Sequence, residues 1–462
     1  ATPAGFARRL VSGKRSLTDR TRIRPWQDAE GQRRSGPNEA ELDEPAMPEP
    51  ILVSVSIGEE DVFAGRLYSH RRQGRESASF VYDPTYLGRS DAYALDPGLP
   101  MSQGTFQTPV GLSMFRALAD AAPDRRGRTL ITRAERRRAA DNRVAARSLG
   151  EIDFLLGVRD DLRHGAVRFA DGSGRFLASD DLGVPPLTEL PRLLEAAAHL
   201  EADEETAIEL RDLIRVGSSL GGARPKAQVV DLDGRVAIAK FPSAQFDTWN
   251  VMAWEKVSLD LAREAGIRVS DSRLLRIDDG RSVLIVDRFD RDAGRRVGYA
   301  SAMTMLEAAD GDAGSYLDIA AVLEQTSAQA TEDLRELWRR IAFTVLISNT
   351  DDHLRNHGFL HVDRGTWMLS PASDLCPAPE AGAMSLCPPV DGDGTTARSA
   401  PATSPPGPSR PPAAHGGQRR HEYRVGLRAV EQLARAEPHA EPAPGLAEGD
   451  CDPGSARPVR AL

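Results

Sequence analysis

Alternation of apolar and polar residues marks the first patterned stretch of the chain. Ile51–Ile57, Val62–Leu67 and Ser77–Tyr82 each put every second residue on one face, the period of a half-buried strand. The period then changes. Pro191–Leu200, Glu204–Arg215, Trp249–Ala265 and Glu332–Ser348 repeat apolar residues at helical spacing, the last through Leu334, Leu337, Trp338, Ile341, Val345 and Leu346. Short apolar runs predict strands at Ala227–Val230, Arg235–Lys240, Gly358–Val362 and Thr366–Leu369, the last two joined by an Asp363-Arg364-Gly365 turn. Ser282–Arg291 starts as such a strand and turns polar, while Val110–Leu130 is mixed and partly helical. This order predicts an α+β chain with a small β-rich domain over residues 48–150 and further folded regions over 151–300 and 301–380.

The two ends lack any period. Residues 1–47 are polar and Arg-rich, and are expected to be a disordered extension or translation upstream of a start at Met47. Residues 381–462 are rich in Pro, Gly and Arg, with Ser-Pro-Pro-Gly-Pro-Ser-Arg-Pro-Pro inside Thr395–Arg419. Such a composition cannot offset chain entropy with a core, so a disordered C-terminal tail is expected, either a linker or GC-rich text read out of frame. Only His421–Ala434 could form a short helix there.

Composition narrows the class without deciding it. At 462 residues, 40% hydrophobic and 27% charged, the chain can bury a sizeable core in two or more units. A net charge of −9 argues against a protein that coats nucleic acid over its whole surface. Three cysteines without a CxxC pair suggest neither a disulfide scaffold nor a zinc site. No apolar run reaches the roughly 18 residues of a membrane span and no signal peptide is evident, so a cytoplasmic protein without a membrane partner is expected. Arg125–Arg147 is basic, including Arg136-Arg137-Arg138; it reads as a contact for nucleic acid or an acidic partner, or as a solvated helix face.

The chemistry concentrates late in the chain. Asn349-Thr350-Asp351-Asp352-His353-Leu354-Arg355-Asn356 lies between the last expected helix and the hairpin, and Asp374 follows the hairpin. One Asp, an Asn five positions on and a second Asp occur in the order used for phosphoryl transfer, where catalysis is positioning plus metal electrostatics. Asp351 can orient an attacking hydroxyl. Asn356 and Asp374 offer hard oxygens to Mg²⁺, which takes few protein ligands alongside phosphate oxygens. The same residue types also suit a plain capped turn.

Upstream pieces complete the set. Ser218, Ser219, Gly221 and Gly222 form a loop whose amides can approach phosphates, with Lys226 adding a point charge; taken alone, a hairpin turn is the simpler account. Lys240 ends a strand as the lysine that contacts the α/β-phosphates of ATP does. Glu255, on the Trp249–Ala265 helix, could pair with Lys240 or face solvent, and Ser282–Arg291 suits a hinge that holds adenine by its backbone. The chain has only four lysines (Lys14, Lys226, Lys240, Lys256), and two of them fall where a compact charge on phosphate is needed.

These pieces resemble the HipA family of serine/threonine protein kinases, toxins of bacterial type II toxin–antitoxin pairs. The likeness spans roughly Pro50 to Pro379 and rests on Ser218–Lys226, Ile238-Ala239-Lys240, Val286–Arg291, Asn349–Asn356 and Leu369–Asp374, with Phe80–Leu87 and Phe115–Asp124 matching the family's small N-terminal domain. It implies a two-lobed protein-kinase-like fold using ATP and Mg²⁺. Asp351 would be the catalytic base, Asn356 and Asp374 the metal ligands, and Lys240 the phosphate lysine. Asp287 and Phe289 would lie in the adenine hinge, and Ser219 would be an inhibitory autophosphorylation site. His353 gives the D-x-H-x-x-N pattern of phosphoinositide kinases. The implied partners are a protein substrate of the aminoacyl-tRNA synthetase type and a small DNA-binding antitoxin, with DNA reached only through it. Two alternatives stay open: a small-molecule or lipid kinase with the same loop, and a catalytically inactive module that complexes an antitoxin and DNA. The family continues with helices where this chain has its Pro-rich tail.

Overall fold

The structure is a computed structural model that describes residues 49–177, 184–217, 224–277, 280–309 and 314–378, with the backbone of two short paired strands, Ala383–Ser385 and Thr396–Arg398. The loop residues Ser218, Ser219, Gly221 and Gly222, the 1–47 extension, most of the tail and the helix expected at His421–Ala434 lie outside the described residues.

The alternation near the start folds as an antiparallel sheet. Its strands run in the order Thr105–Gln107, Arg75–Tyr82, Glu60–Arg72, Ile51–Ile57, Val167–Ala170. Every second residue faces inward, burying Val53, Val55, Leu67 and Phe80. Gly65 sits at a register shift between the first two strands, where a Cβ would come within 2.2 Å of the Val81 carbonyl. The fifth strand arrives from beyond residue 150 and pairs Leu52 with Ala170 and Val55 with Val167.

A second antiparallel sheet runs in the order Lys226–Val230, Val236–Lys240, Ser282–Asp287, Ser272–Arg276. Helices Leu190–Glu201 and Ala207–Gly217 cover one face, where Leu193, Leu194, Leu210 and Leu213 pack with Ala237, Ala239, Val283 and Ile285. Helix Val251–Glu264 covers the other, where Val251, Met252 and Leu259 meet Leu284 and Val286. Cross-strand pairs share a face, so the pairing of Lys240 with Leu284 turns Lys240 toward helix Val251–Glu264.

The third region joins helices Tyr316–Thr326 and Ala330–Leu346 to a sheet of Tyr299–Ser301, Gly358–Asp363 and Thr366–Leu369. Tyr316, Ile319, Leu337, Phe359 and Trp367 share one core with the N-terminal sheet. The long helix and the hairpin stand where the periodicity put them. Helix Tyr316–Thr326 was not read from the periodicity, although Ser315 and Asp318 form its capping box. Among the described residues no helix is long and apolar enough to cross a membrane.

Candidate active site

Lys240 ends its strand at the junction of the second and third regions. Its Nζ donates to Glu255 Oε1 at 2.5 Å and forms an ion pair with Asp374 Oδ1. Lys226, its cross-strand partner, holds its own Nζ 3.9 Å from the same Asp374 oxygen. Lys240 and Glu255 are buried, whereas the Asp374 side chain is 35% exposed. Asp374 adopts a left-handed backbone (φ +56°), a conformation that costs a non-glycine residue and aims its side chain back at the lysines. Burial alone would lower the Lys240 pKa, but the carboxylates of Asp374 and Glu255 outweigh it and hold the ammonium above its ordinary range. Burial likewise pushes Asp374 upward, and Lys226 with Lys240 overcomes that to keep its carboxyl well below the usual range. Both groups therefore stay charged.

Beyond helix Ala330–Leu346, Ser348 takes a left-handed turn (φ +54°) that releases the polar loop. Buried Asn349 ties the loop together. Its Oδ1 accepts from the Asp351 N–H at 3.2 Å and its Nδ2 donates to the Asp374 carbonyl at 3.4 Å. Asn356 Nδ2 donates to the Asp351 carbonyl at 2.9 Å, which leaves Oδ1 as the amide atom able to meet a metal. The two adjacent carboxylates have opposite surroundings. Asp351 is exposed; Asp352 is buried and accepts from Tyr316 Oη at 2.5 Å, His357 Nε2 at 3.2 Å and Thr344 Oγ1 at 3.5 Å. Burial would raise the Asp352 pKa, but His357 and Tyr316 outweigh it and hold the carboxyl below its ordinary value.

The structure thus gathers Lys226, Lys240, Asp351, Asn356 and Asp374, and settles Glu255 as the partner of Lys240. His353 is exposed in the same loop. Asp287 is different. It pairs across from Ala237, on the sheet face opposite Lys240, and its carboxylate meets Arg235 at 2.9 Å and Arg273 at 3.7 Å. Its side chain is committed there, so Asp287 can serve a hinge only through its backbone. Phe289 is half-buried, with its ring 5.7 Å from His164 and 6.0 Å from Tyr299. Between them, buried Arg288 donates to the carbonyls of Leu162 at 2.8 Å and Arg163 at 3.0 Å and to Asp290 at 2.8 Å, fixing this segment. The roles of Asn349, Asp352 and Arg288 were not read from the sequence. Asn349 opens the polar run, yet nothing in spacing shows that its amide bridges two loops.

Residues 218–403 match the family model of the HipA-like C-terminal domain. Over 175 residues the chain is 31% identical to Y4dM of Sinorhizobium fredii (strain NBRC 101917 / NGR234), a protein named as a proposed kinase; the match covers 35% of this chain and 40% of that relative. The chain thus spans less than half the length of this curated relative. Its fold is similar to that of HipA from Shewanella oneidensis MR-1, solved with HipB and its operator DNA, at a TM-score of 0.50 and 15% identity over 71% of this chain and 76% of that one. That likeness makes the α+β architecture a kinase-like one, with a β-rich domain ahead of the lobes. Residues 218–403 thus resemble the HipA-like C-terminal domain, in a chain whose fold is similar to that of a HipA protein.

Proposed function

We propose that this protein transfers the γ-phosphate of ATP to a Ser or Thr hydroxyl of a protein and is held in check by a small DNA-binding antitoxin. The observation that carries the reading is the Lys240–Glu255–Asp374 cluster, a phosphate lysine fixed by a buried helix carboxylate and placed against a metal-type Asp. The donor set suits Mg²⁺: a carboxylate and an amide oxygen, with no cluster of three His, Cys, Asp or Glu among the described residues that would favour a different ion. Asn356 and Asp374 would hold the ion, which would supply neutralisation of the charge that develops on the transferred phosphate.

The chain's own residues supply the rest. Lys240 and Lys226 present two positive charges toward the phosphate position. Asp351 is exposed and tied through Asn349 to the Asp374 loop, so its carboxylate can accept the proton of an incoming hydroxyl. Asn349 couples the loop of Asp351 to that of Asp374, so base and metal ligand keep one spacing. The hinge backbone near Asp287 and Phe289 would hold adenine, and Ser219 would take phosphate as an inhibitory mark. An antitoxin partner is supported by the Shewanella HipA, which is complexed with HipB and operator DNA. The aminoacyl-tRNA synthetase class of substrate rests on the family resemblance.

Intact mass and peptide mapping after incubation with Mg²⁺ and ATP test the proposal, with Asp351→Asn as control. Phosphate gained by the wild type alone supports it. No gain on the chain or on a panel of acceptor proteins, with no nucleotide-dependent thermal shift, overturns it.

A further inference from the structure

Asp120 belongs to the N-terminal domain, where it ends helix Arg116–Asp120, yet its carboxylate bonds to the third region. Its Oδ2 accepts from the Ser301 N–H at 2.7 Å and its Oδ1 from the Ser301 hydroxyl at 2.8 Å. Tyr299–Ser301 is the edge strand of its three-stranded sheet. Its ladder bonds fall at Gly298 and Ala302, so strand parity turns the Ser301 N–H to the open side. Asp120 closes that side in place of a further strand. The start of the same helix is fixed as well, because Arg116 Nε donates to the Ala308 carbonyl at 3.1 Å.

This clasp holds the far end of the Asp351 loop. Ala302, next to Ser301, donates its N–H to the His357 carbonyl at 2.7 Å. His357 directly follows Asn356, and its ring meets Asp352, the neighbour of Asp351, at 3.2 Å. Leu354, from the middle of the loop, is buried in one core with Leu118 of the N-terminal helix and with Ala302. A neutral acceptor would satisfy the Ser301 N–H equally well. Instead burial pushes the Asp120 carboxyl up to about 6, against the opposing pull of the Ser301 hydrogen bonds and of Arg355 in the loop. At neutral pH the folded chain therefore keeps an ionised group that burial disfavours. Such a cost marks a group with a use in the site.

We infer that Asp120 is a positioning residue, through which the N-terminal domain holds the Asp351 loop in place for phosphoryl transfer. Its effect on rate rests on the reading of Asp351 as base; its hold on the loop does not. The test compares full-length wild type with Asp120→Asn and Asp120→Ala, by labelled-phosphate transfer to the chain itself and to casein, thermal unfolding and hydrogen–deuterium exchange. Asp120→Asn keeps the size and removes the charge. The transfer rate at saturating ATP should fall at least about ten-fold, while the ATP concentration for half-maximal rate stays within about two-fold. Its thermal midpoint at pH 8 should not drop, whereas a residue that only supports the fold would lose midpoint and rate together. Exchange in peptides covering 298–306 and 349–358 should quicken in both variants, with 236–240 unchanged. Asp120→Asn carries the test alone should Asp120→Ala not fold. A folded Asp120→Asn that transfers as fast as an active wild type would overturn the inference, as would unchanged exchange over 349–358 in the variants. Quickened exchange there with an inactive wild type would uphold the clasp and count against phosphoryl transfer itself.

Discussion

Lys240 and Asp374, 134 residues apart in the chain, meet in one ion pair. One belongs to a strand of the second sheet and the other to the loop after the last hairpin, so their contact joins the two halves of the candidate site. Glu255 completes the group from helix Val251–Glu264. Strand, helix and loop must therefore all be in place before either charge is correctly set.

Lys240→Met tests that dependence. Glu255 is 2% exposed, and removing its partner strands a buried carboxylate, which typically costs about 3–5 kcal/mol. The expected outcome is a thermal midpoint lower by several degrees together with lost phosphoryl transfer. A midpoint equal to that of the wild type would show that the pair contributes nothing to the core.

Asp351→Asn should separate binding from chemistry. An exposed general base contributes about 10²–10⁴ in rate and acts in the transition state. Transfer should fall by at least about 100-fold while ATP affinity stays within a few-fold, as measured by labelled-phosphate transfer and nucleotide titration. Full activity would remove Asp351 from the role of base.

Asp374 links the site to pH. Its carboxyl lies below the ordinary value of 3.8 in the folded chain, so the stability it contributes is complete above that value and is lost as pH falls toward the folded pKa. Wild-type stability should therefore drop below about pH 4 more steeply than that of Asp374→Asn, as read from urea midpoints between pH 2.5 and 6. Asp374→Ala should also weaken Mg²⁺-dependent ATP binding, and an unchanged affinity would contradict metal ligation.

Tyr316→Phe removes the shortest hydrogen bond to buried Asp352 without changing the ring. Leaving that lone pair unsatisfied should cost about 1–3 kcal/mol. Because Asp352 anchors the residue next to Asp351, kcat should fall while KM for ATP holds. A parallel rise in KM would point to a wider disturbance of the lobe.

Much of this arrangement was legible in the sequence because it rests on local rules. The strands at Ile51–Ile57, Val236–Lys240 and Gly358–Asp363 alternate, and the helix carrying Leu337 and Ile341 has its apolar stripe. The order of Lys240, Asp351, Asn356 and Asp374 sufficed to nominate the site. What stayed hidden depends on contacts between distant segments. Val167–Ala170 is four residues long, too short for its period to register, and joins its sheet only through Ile51–Ile57. Asp287 has the right neighbours in sequence, but strand parity turns its carboxylate to the face of Arg235 and Arg273. Asp351 and Asp352 are chemically identical neighbours; only the placement of Tyr316 and His357 decides which one is buried.

The late arrival of Val167–Ala170 also bears on how the chain is made. Ile51–Ile57 pairs on one side with the next strand to be synthesised, but its other edge has no partner until residue 170 has left the ribosome. At about 5–20 residues per second, that edge stays open for roughly 6–23 s, long enough to capture a strand from a neighbouring nascent chain. A fragment ended near residue 150 would keep the edge open permanently. It would be a template for aggregation rather than a smaller version of the domain.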